Sequence, residues 1–415
     1  MPAQPAEDRS TQGAKRLRVL DEAARALNRR GVSQTSLATI ARSVGVSRAA
    51  LYYYFEDQED LVFQCYRRSC ELMACRLNEA SHGRTDAMTI IDGFVDAMLA
   101  ESGSEFAALS EAAFLRPHQR SIILGLYDSI MAKIADLLRQ GAACGDLRPC
   151  ASSVVAQAII GLISWIPMAR RWRTSDLLSD ADFGEAIKNL LRSGIAADRR
   201  AIVSYRPLRL EPAQLPVHQV FNPGAMAAAR KEALLAAASW LFNLKGVDAT
   251  SLEEIALRVG VTKKVIYHNV GDKATLVVEC YRRGFRFYED IAQRALAYEG
   301  SRIDATCAAA HALAEASLRE DIAPLAPLGG FEALPEPVRE EIQASSQRLM
   351  DMYLELHRRG QADGSIRSLN SRAMLAIHPG TFEWLPKWFD RFEPSERAAA
   401  AHEVSVLYRL GLRPI

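Results

Sequence analysis

The chain has 415 residues, 24% of them charged, a net charge of +1 and seven cysteines. That length accommodates about two to four domains, each able to bury its own core. An odd number of scattered cysteines argues against a disulfide framework, so a reduced cytoplasm is expected, and the near-zero net charge shifts attention to local charge.

Residues 1–13 read as a disordered polar tail without the apolar run of a signal peptide. Leu17, Leu20, Ala24 and Leu27 then lay one apolar stripe on a first helix ending near Gly31. In Thr35–Phe55, TSLATIARSVGVSRAALYYYF, the residues Leu37, Ile40, Ala41 and Val44 recur at helical spacing. Thr35 is placed to cap that helix, Gly45 falls where a left-handed residue ends it, and Ser47 can cap the next. Two short helices around a tight turn make a helix-turn-helix. Arg48 beside the exposed amides of its second helix sets a cation and a positive dipole end toward a polyanion. From Met1 to Phe55 nine Lys and Arg face four acidic residues, a local bias that suits the same partner.

Asp57 can cap a fourth helix that carries Leu61, Val62, Cys65 and Tyr66 into a longer pattern. Cys65, Cys70 and Cys75 are five apart, a turn of about 140° each, so they share no metal-binding face. From Arg67 to Ala197 the periodicity is helical throughout, with breaks at His82 and Gly83, at Arg116 and Pro117, and from Gly145 to Pro149. Ser179 with Asp182 forms a capping box before a last helix. The most apolar run, Val154–Ala169, is interrupted by Gln157, Ser164 and Pro167 and falls short of the roughly 20 residues that span a bilayer. Arg199–Pro223, with Pro207, Pro212, Pro216 and Pro223, reads as an extended linker.

The pattern then returns as Thr250–Val270, TSLEEIALRVGVTKKVIYHNV. Between Gly31–Arg68 and Gly246–Arg283, eighteen of thirty-eight positions are identical without a gap, at an offset of 215. Farther along, GAACGDLR from Gly141 resembles GQADGSIR from Gly360, and WIPMARRW from Trp165 resembles WLPKWFDR from Trp384, both at an offset of 219. So long a period indicates two whole units rather than a solenoid of roughly 20–50-residue repeats. In the second copy Thr250 stands three residues before Glu253, a capping box that Ala38 denies the first.

These residues resemble the TetR family of transcriptional repressors, twice over in one polypeptide. The first copy matches through Gly31, Thr35, Ile40, Ala41, Gly45, Val46, Ser47, Tyr52, Phe55 and Leu61. It departs in having Gln58 where the family has a phosphate-binding Lys. The second copy keeps Lys273 but has Val270 for the aromatic and His268 and Asn269 for Tyr53 and Tyr54. The resemblance implies an all-α fold, a tandem duplication of a three-helix DNA-binding domain followed by a larger helical ligand-binding and dimerisation domain. The expected boundaries are a tail at 1–13, helix-turn-helix domains at 14–60 and 224–275, helical domains at 61–198 and 276–415, and a linker at 199–223.

The resemblance also implies roles. Thr35, Ser47, Tyr52 and Tyr53 would hold DNA phosphates while Arg48 and Ala49 face base edges. In the second copy Thr250, Thr262, Tyr267, His268 and Lys273 would hold phosphate and Lys263 and Lys264 would face bases. The alternative for Tyr52 and Tyr267 is a place in the small domain's core. Family members pair through the last two helices of the ligand domain. Ile159, Leu162, Ile163, Ile187, Leu190 and Leu191 against Leu375, Phe382, Val404, Leu407 and Tyr408 are candidates for such a seam within one chain, or for two separate cores. Trp165, Arg170, Trp172, Trp384 and Trp388 are candidate ligand contacts, tryptophans for an apolar tail and Arg170 with Arg171 for a phosphate, as in the subgroup that takes acyl-CoA or related lipids. The alternative for them is core packing and solvation.

The implied protein is an operator-binding regulator, relieved by a small hydrophobic or acyl-CoA-like molecule, without a cofactor, metal or membrane partner. It works as a pseudo-dimer within one chain or as a homodimer. Two other classes compete. An enzyme would need a nucleophile elbow, phosphate loop, zinc spacing or paired carboxylates, none of which stands out. A second copy reduced to a sensor or scaffold is favoured by Val270 and by the acidic pair Glu253 and Glu254.

Overall fold

The computed structural model describes residues 6–100, 105–211, 221–328 and 330–415. Among these the fold is all helical, with a single isolated bridge between Ala196 and Ile366. Helices α1 (Ala6–Arg30), α2 (Leu37–Val44), α3 (Arg48–Tyr52) and α4 (Gln58–Ser81) build the first helix-turn-helix module and the stem that leads out of it. Its larger domain adds α5 (Ala87–Leu99), α6 (Pro117–Cys144), α7 (Ser152–Ala169) and α8 (Asp180–Ser193). The second copy follows as α9 (Pro223–Lys245), α10 (Leu252–Val259), α11 (Lys263–Asn269) and α12 (Lys273–Leu296), then α13 (Arg302–Leu318) and α14 (Glu336–Ala362). It closes with α15 (Ser371–Ile377), α16 (Leu385–Trp388), α17 (Pro394–Arg397) and α18 (Ala400–Leu410).

Local chemistry accounts for the ends of the helix-turn-helix elements. Gly45 and Gly260 end α2 and α10 at φ of 73° and 74°, where a side chain would be strained. Ser47 caps α3 by accepting the Ala50 N–H at 3.1 Å, and Asp57 caps α4 by accepting the Asp60 N–H at 2.8 Å. The caps of α2 and α10 fall one residue later than the sequence pattern suggests. Ser36 with Thr39 and Ser251 with Glu254 form the capping boxes, so both copies have one. Thr35 and Thr250 turn inward instead, donating their hydroxyls to Gly31 O at 2.7 Å and Gly246 O at 2.8 Å. The reason is that each hydroxyl closes the turn left open by the preceding helix end, which a cap facing outward would leave unsatisfied.

Two further expectations change. Helix α1 already begins at Ala6, so residues 6–13 continue the helix rather than form a tail, as Ala, Glu and Gln extend a nucleated helix readily; residues 1–5 lie outside the described residues. The described part of the linker, residues 199–211, is extended but fastened along the second unit. Arg206 N–H donates to Tyr298 Oη at 2.6 Å, Tyr205 Oη lies 2.8 Å from His311 Nδ1, and Arg294 donates to Arg209 O. Pro212 and Pro216 lie outside the described residues.

The two larger domains meet along one face. Helix α8 packs against α15 and α18, and α7 against α18 and the 3₁₀ turn His378–Thr381. In the second copy that turn interrupts what is one continuous helix, α7, in the first, because Pro379 lacks the N–H a helix needs. The seam candidates Leu162, Ile163, Ile187, Leu190, Leu191, Val404, Leu407 and Tyr408 are almost wholly buried, within a core that runs continuously across both copies. The apolar helix α7 therefore serves as a core element, 89% of it buried within the protein.

Equivalent residues meet each other across this face. Ile195 N–H donates to Tyr408 O at 3.0 Å, and its counterpart Leu412 N–H donates to Leu191 O at 2.7 Å. Ala196 N–H to Arg409 O and Arg413 N–H to Arg192 O form the next pair, at 3.0 and 3.1 Å. The repeated motif arginines complete the pattern: Arg148 Nε donates to Gly411 O at 2.6 Å and Arg367 Nε to Gly194 O at 2.8 Å. Gly161 and Gly380, equivalent at the offset of 219, touch backbone to backbone; a Cβ on Gly380 would come within 2.7 Å of Leu162 Cα. Reciprocal contacts of this kind are the signature of an isologous interface.

Candidate nucleic-acid interface and ligand cavity

On α3 the side chains of Ser47, Arg48 and Ala49 are exposed, as are Tyr52 and Tyr53, while Leu51 and Phe55 fill the small core. Arg48 Nη2 donates to Tyr52 Oη at 2.9 Å with its guanidinium 5.5 Å from the ring, so the two form one rigid surface unit. On α11, Thr262, Lys263, Lys264, Tyr267 and His268 are exposed at the equivalent places. Lys263 repeats the Arg48 arrangement, 5.9 Å from the Tyr267 ring, but also pairs with Glu253 at 2.5 Å, which holds the carboxyl below its usual range. Thr35 and Thr250 are buried with their hydroxyls engaged, so neither side chain reaches a phosphate. Gln58 Nε2 donates to Val32 O at 2.7 Å, and Lys273 Nζ lies 3.4 Å from Asp248 O; both reach back to their own inter-helix loops. Tyr52 and Tyr267, each about half exposed, belong to the surface rather than the core.

The two small modules touch through equivalent loops. Ser33 N–H donates to Asp248 Oδ2 at 3.0 Å, and these positions correspond at the offset of 215. Between them lies buried Glu111, which accepts the Val32 N–H at 2.7 Å and leaves no space for a side chain at Gly246. Burial raises the Glu111 carboxyl. Half-buried Lys387 on α16 faces it and donates to Leu244 O at 3.3 Å, with desolvation lowering the ammonium to about 8.

An apolar cavity of about 110 Å³ lies where the second unit's larger domain meets the first unit. Its wall is shared between copies: Trp165, Ala169, Trp172, Thr174 and Ser175 come from the first, and Phe285, Tyr288, Tyr353, His378, Phe382 and Glu383 from the second. Trp165 Nε1 donates to Ala376 O at 2.8 Å across the seam, and Trp172 packs 5.7 Å from Phe285 and 4.8 Å from Phe331. Tyr288 Oη donates to Glu383 Oε1 at 3.0 Å. Burial pushes the Glu383 carboxyl up to about 8, and holds His378 down at about 3 and the enclosed His357 behind it at about 4.

The other expected ligand contacts lie elsewhere. Arg170 is exposed and pairs with Asp180; Arg171 donates to Leu328 O at 3.2 Å. Trp384 packs over Gly161, and Trp388 stacks on Tyr127 at 4.0 Å and 17°. That stack marks the first unit's counterpart of the cavity: at an offset of 219, Trp388 corresponds to Ala169 and Ser346 to Tyr127. The groove beside it, about 340 Å³, is lined by Asp128, Arg139, Arg391 and Glu393 among others. No sequence spacing joins Tyr288 on α12, Tyr353 on α14, His378 in the 3₁₀ turn and Glu383 in the turn before α16, and only tertiary packing brings them to one cavity. The one available signal was their replacement in the first copy by Met73, Ile134, Ile159 and Ser164.

Two helix-turn-helix modules, each joined to a larger helical body, are the architecture of helix-turn-helix DNA-binding proteins. Residues 19–65 and 234–280 both match the family described as bacterial regulatory proteins, tetR family, and residues 88–172 match a tetracyclin repressor-like C-terminal domain. The HTH-type transcriptional regulator AcrR of Shigella flexneri is 43% identical over 54 residues, 13% of this chain and 25% of that protein, so the chain spans about a quarter of that relative. TtgR of Pseudomonas putida is 26% identical over 189 residues, 40% of this chain and 86% of that one. Among solved structures, AibR with isovaleryl coenzyme A and operator DNA shares 22% identity over 42% of this chain and 97% of that one, at a TM-score of 0.36. Residues 19–65 and 234–280 are thus two DNA-binding domains of the tetR type, in tandem in one chain.

Proposed function

We propose that this chain is a repressor that acts as a pseudo-dimer within one polypeptide, its two unlike recognition helices α3 and α11 reading an asymmetric operator. The observation that carries this reading is the reciprocal bonding of equivalent residues, Ile195 to Tyr408 and Leu412 to Leu191, where a two-chain member would place its partner. The Ser33–Asp248 contact keeps both modules on one side of the molecule. A footprint of the full chain on DNA selected from its genome, with the mass of the complex, tests it. One chain protecting two unlike half-sites about one helical turn apart is expected; two chains on a palindrome refute it.

The inducer in this reading is a small hydrophobic molecule in the cavity. Glu383 in its wall stands four residues before Lys387, which holds the α9 end at Leu244 and faces Glu111, the acceptor for the first module's Val32. A ligand that favours a different setting of this chain of contacts changes the spacing of α3 and α11. It lowers operator affinity by its differential affinity for the two settings and no more. The acyl-CoA class is the poorer fit, since Arg170 points away from the cavity and no arginine or lysine lines it among the described residues.

A second reading keeps DNA contact for α3 alone and makes the second unit the sensor. It is favoured by Glu253 neutralising Lys263 and by the location of the cavity. If Lys263→Ala with Lys264→Ala leaves operator affinity and its salt slope unchanged, the sensor reading holds.

A further inference from the structure

We propose that the cavity between the two copies binds a lipophilic organic cation, held against the Glu383 carboxylate by a surround of aromatic rings. This rests on the reading of the cavity as the inducer site. The chain contains its own control: the first copy folds with Met73, Ile134, Leu138, Ile159 and Ser164 where the second has Tyr288, Tyr353, His357, His378 and Glu383. Packing alone therefore does not call for the polar set. Glu383 is 3% exposed, lines the cavity, and forms no ion pair among the described residues. Its one hydrogen-bond donor there is Tyr288. His378 Nε2 and the Tyr353 hydroxyl are likewise buried without a partner.

Each ligand charge type has a distinct consequence. An anion would sit beside a carboxyl group with no cation to balance it, at a cost of several kcal/mol. An uncharged apolar molecule fits the rings but leaves Glu383 without a role. A cation supplies the absent counter-charge and meets the π faces of Trp165, Trp172, Phe285 and Phe382. Without a cation, burial keeps Glu383 protonated below about pH 8. Binding then exchanges that proton for the ligand.

Apart from Lys387, the titratable groups packed around Glu383 keep one charge state between pH 6 and about 8. Burial holds Tyr281 and Tyr288 on α12, Tyr353 on α14 and Tyr408 on α18 above their usual range, and His357 and His378 at about 4 and about 3. Arg283 on α12 is paired with Glu232. Lys387, which titrates at about 8, faces Glu111, and remains intact in Glu383→Gln as the control.

The test uses the full chain, its tryptophan fluorescence as readout, and three probes: phenyltrimethylammonium, its uncharged isostere tert-butylbenzene, and benzoate. The cation is expected to bind about tenfold more tightly per pH unit from 6 to about 8 and then level off, with tert-butylbenzene unaffected and benzoate weakest. Glu383→Gln is expected to lose that slope and at least about tenfold in cation affinity at pH 8, while keeping tert-butylbenzene. Equal binding of cation and isostere by the natural chain, or a pH slope that survives in Glu383→Gln, overturns the assignment. Binding of tert-butylbenzene alone overturns the cation and leaves the inducer cavity standing; binding of none of the three removes both.

Discussion

Arg148 and Arg367 occupy the same place in the repeated motif and make the same bond across the seam, yet their removal has unequal costs. Arg148 donates through Nε to Gly411 O at 2.6 Å and through Nη2 to Glu403 at 2.7 Å, and both side chains are about one-tenth exposed. Arg148→Ala strands the Glu403 carboxylate, whose remaining donor is the Ala151 N–H at 3.1 Å. Breaking a buried pair by deleting one partner costs about 3–5 kcal/mol. Arg367 donates to Gly194 O at 2.8 Å and to Asn189, so Arg367→Ala strands no charge and costs about 1.5–3 kcal/mol. Urea unfolding of the full chain at pH 7 measures both. Glu403→Gln placed in the Arg148→Ala background removes the stranded charge and is expected to recover about 1–3 kcal/mol. If Arg148→Ala is no more destabilising than Arg367→Ala, or the second substitution recovers nothing, the seam is not held as argued.

Three further outcomes are expected. Arg48→Ala should weaken operator binding by about 1–3 kcal/mol and blur specificity at one half-site, whereas Glu253→Gln, which releases Lys263, should tighten binding and steepen its salt dependence in titrations at graded ionic strength. Tyr127→Ser with Trp388→Ala, which copies Ser346 and Ala169 into the cavity's counterpart, should cost about 3–5 kcal/mol or more and open a second site for tert-butylbenzene, read as a doubled stoichiometry in calorimetry. The Lys387 ammonium has a folded-state value of about 8, below the usual 10.5, so the unfolded chain binds the extra proton between these values and stability rises with pH across that window. Lys387→Met, the residue its counterpart Met168 already is, should abolish that rise and be more stable than the natural chain at pH 7 in pH-resolved thermal unfolding.

The linear chain determined what is local or repeated. Glycine at the ends of α2 and α10, serine and aspartate at the caps of α3 and α4, and the apolar stripes between them specify the helix-turn-helix, because capping and helical burial act over four or five residues. Identity at fixed offsets made the duplication legible in the same way. Local pattern misplaced Thr35 and Thr250 by one position, since both threonine and serine satisfy a cap and only the buried carbonyl of the preceding helix end chooses between them. What tertiary structure alone decided is how the two copies differ. That Trp165 and Trp172 line a cavity while Trp388 fills its counterpart, that Arg170 faces solvent, and that Glu111 sits between Gly31 and Gly246 all depend on tertiary packing, much of it between residues more than a hundred positions apart. Sequence spacing carries no information about such contacts, because the seam that creates them is fixed by the summed burial of four helices and not by any one of them.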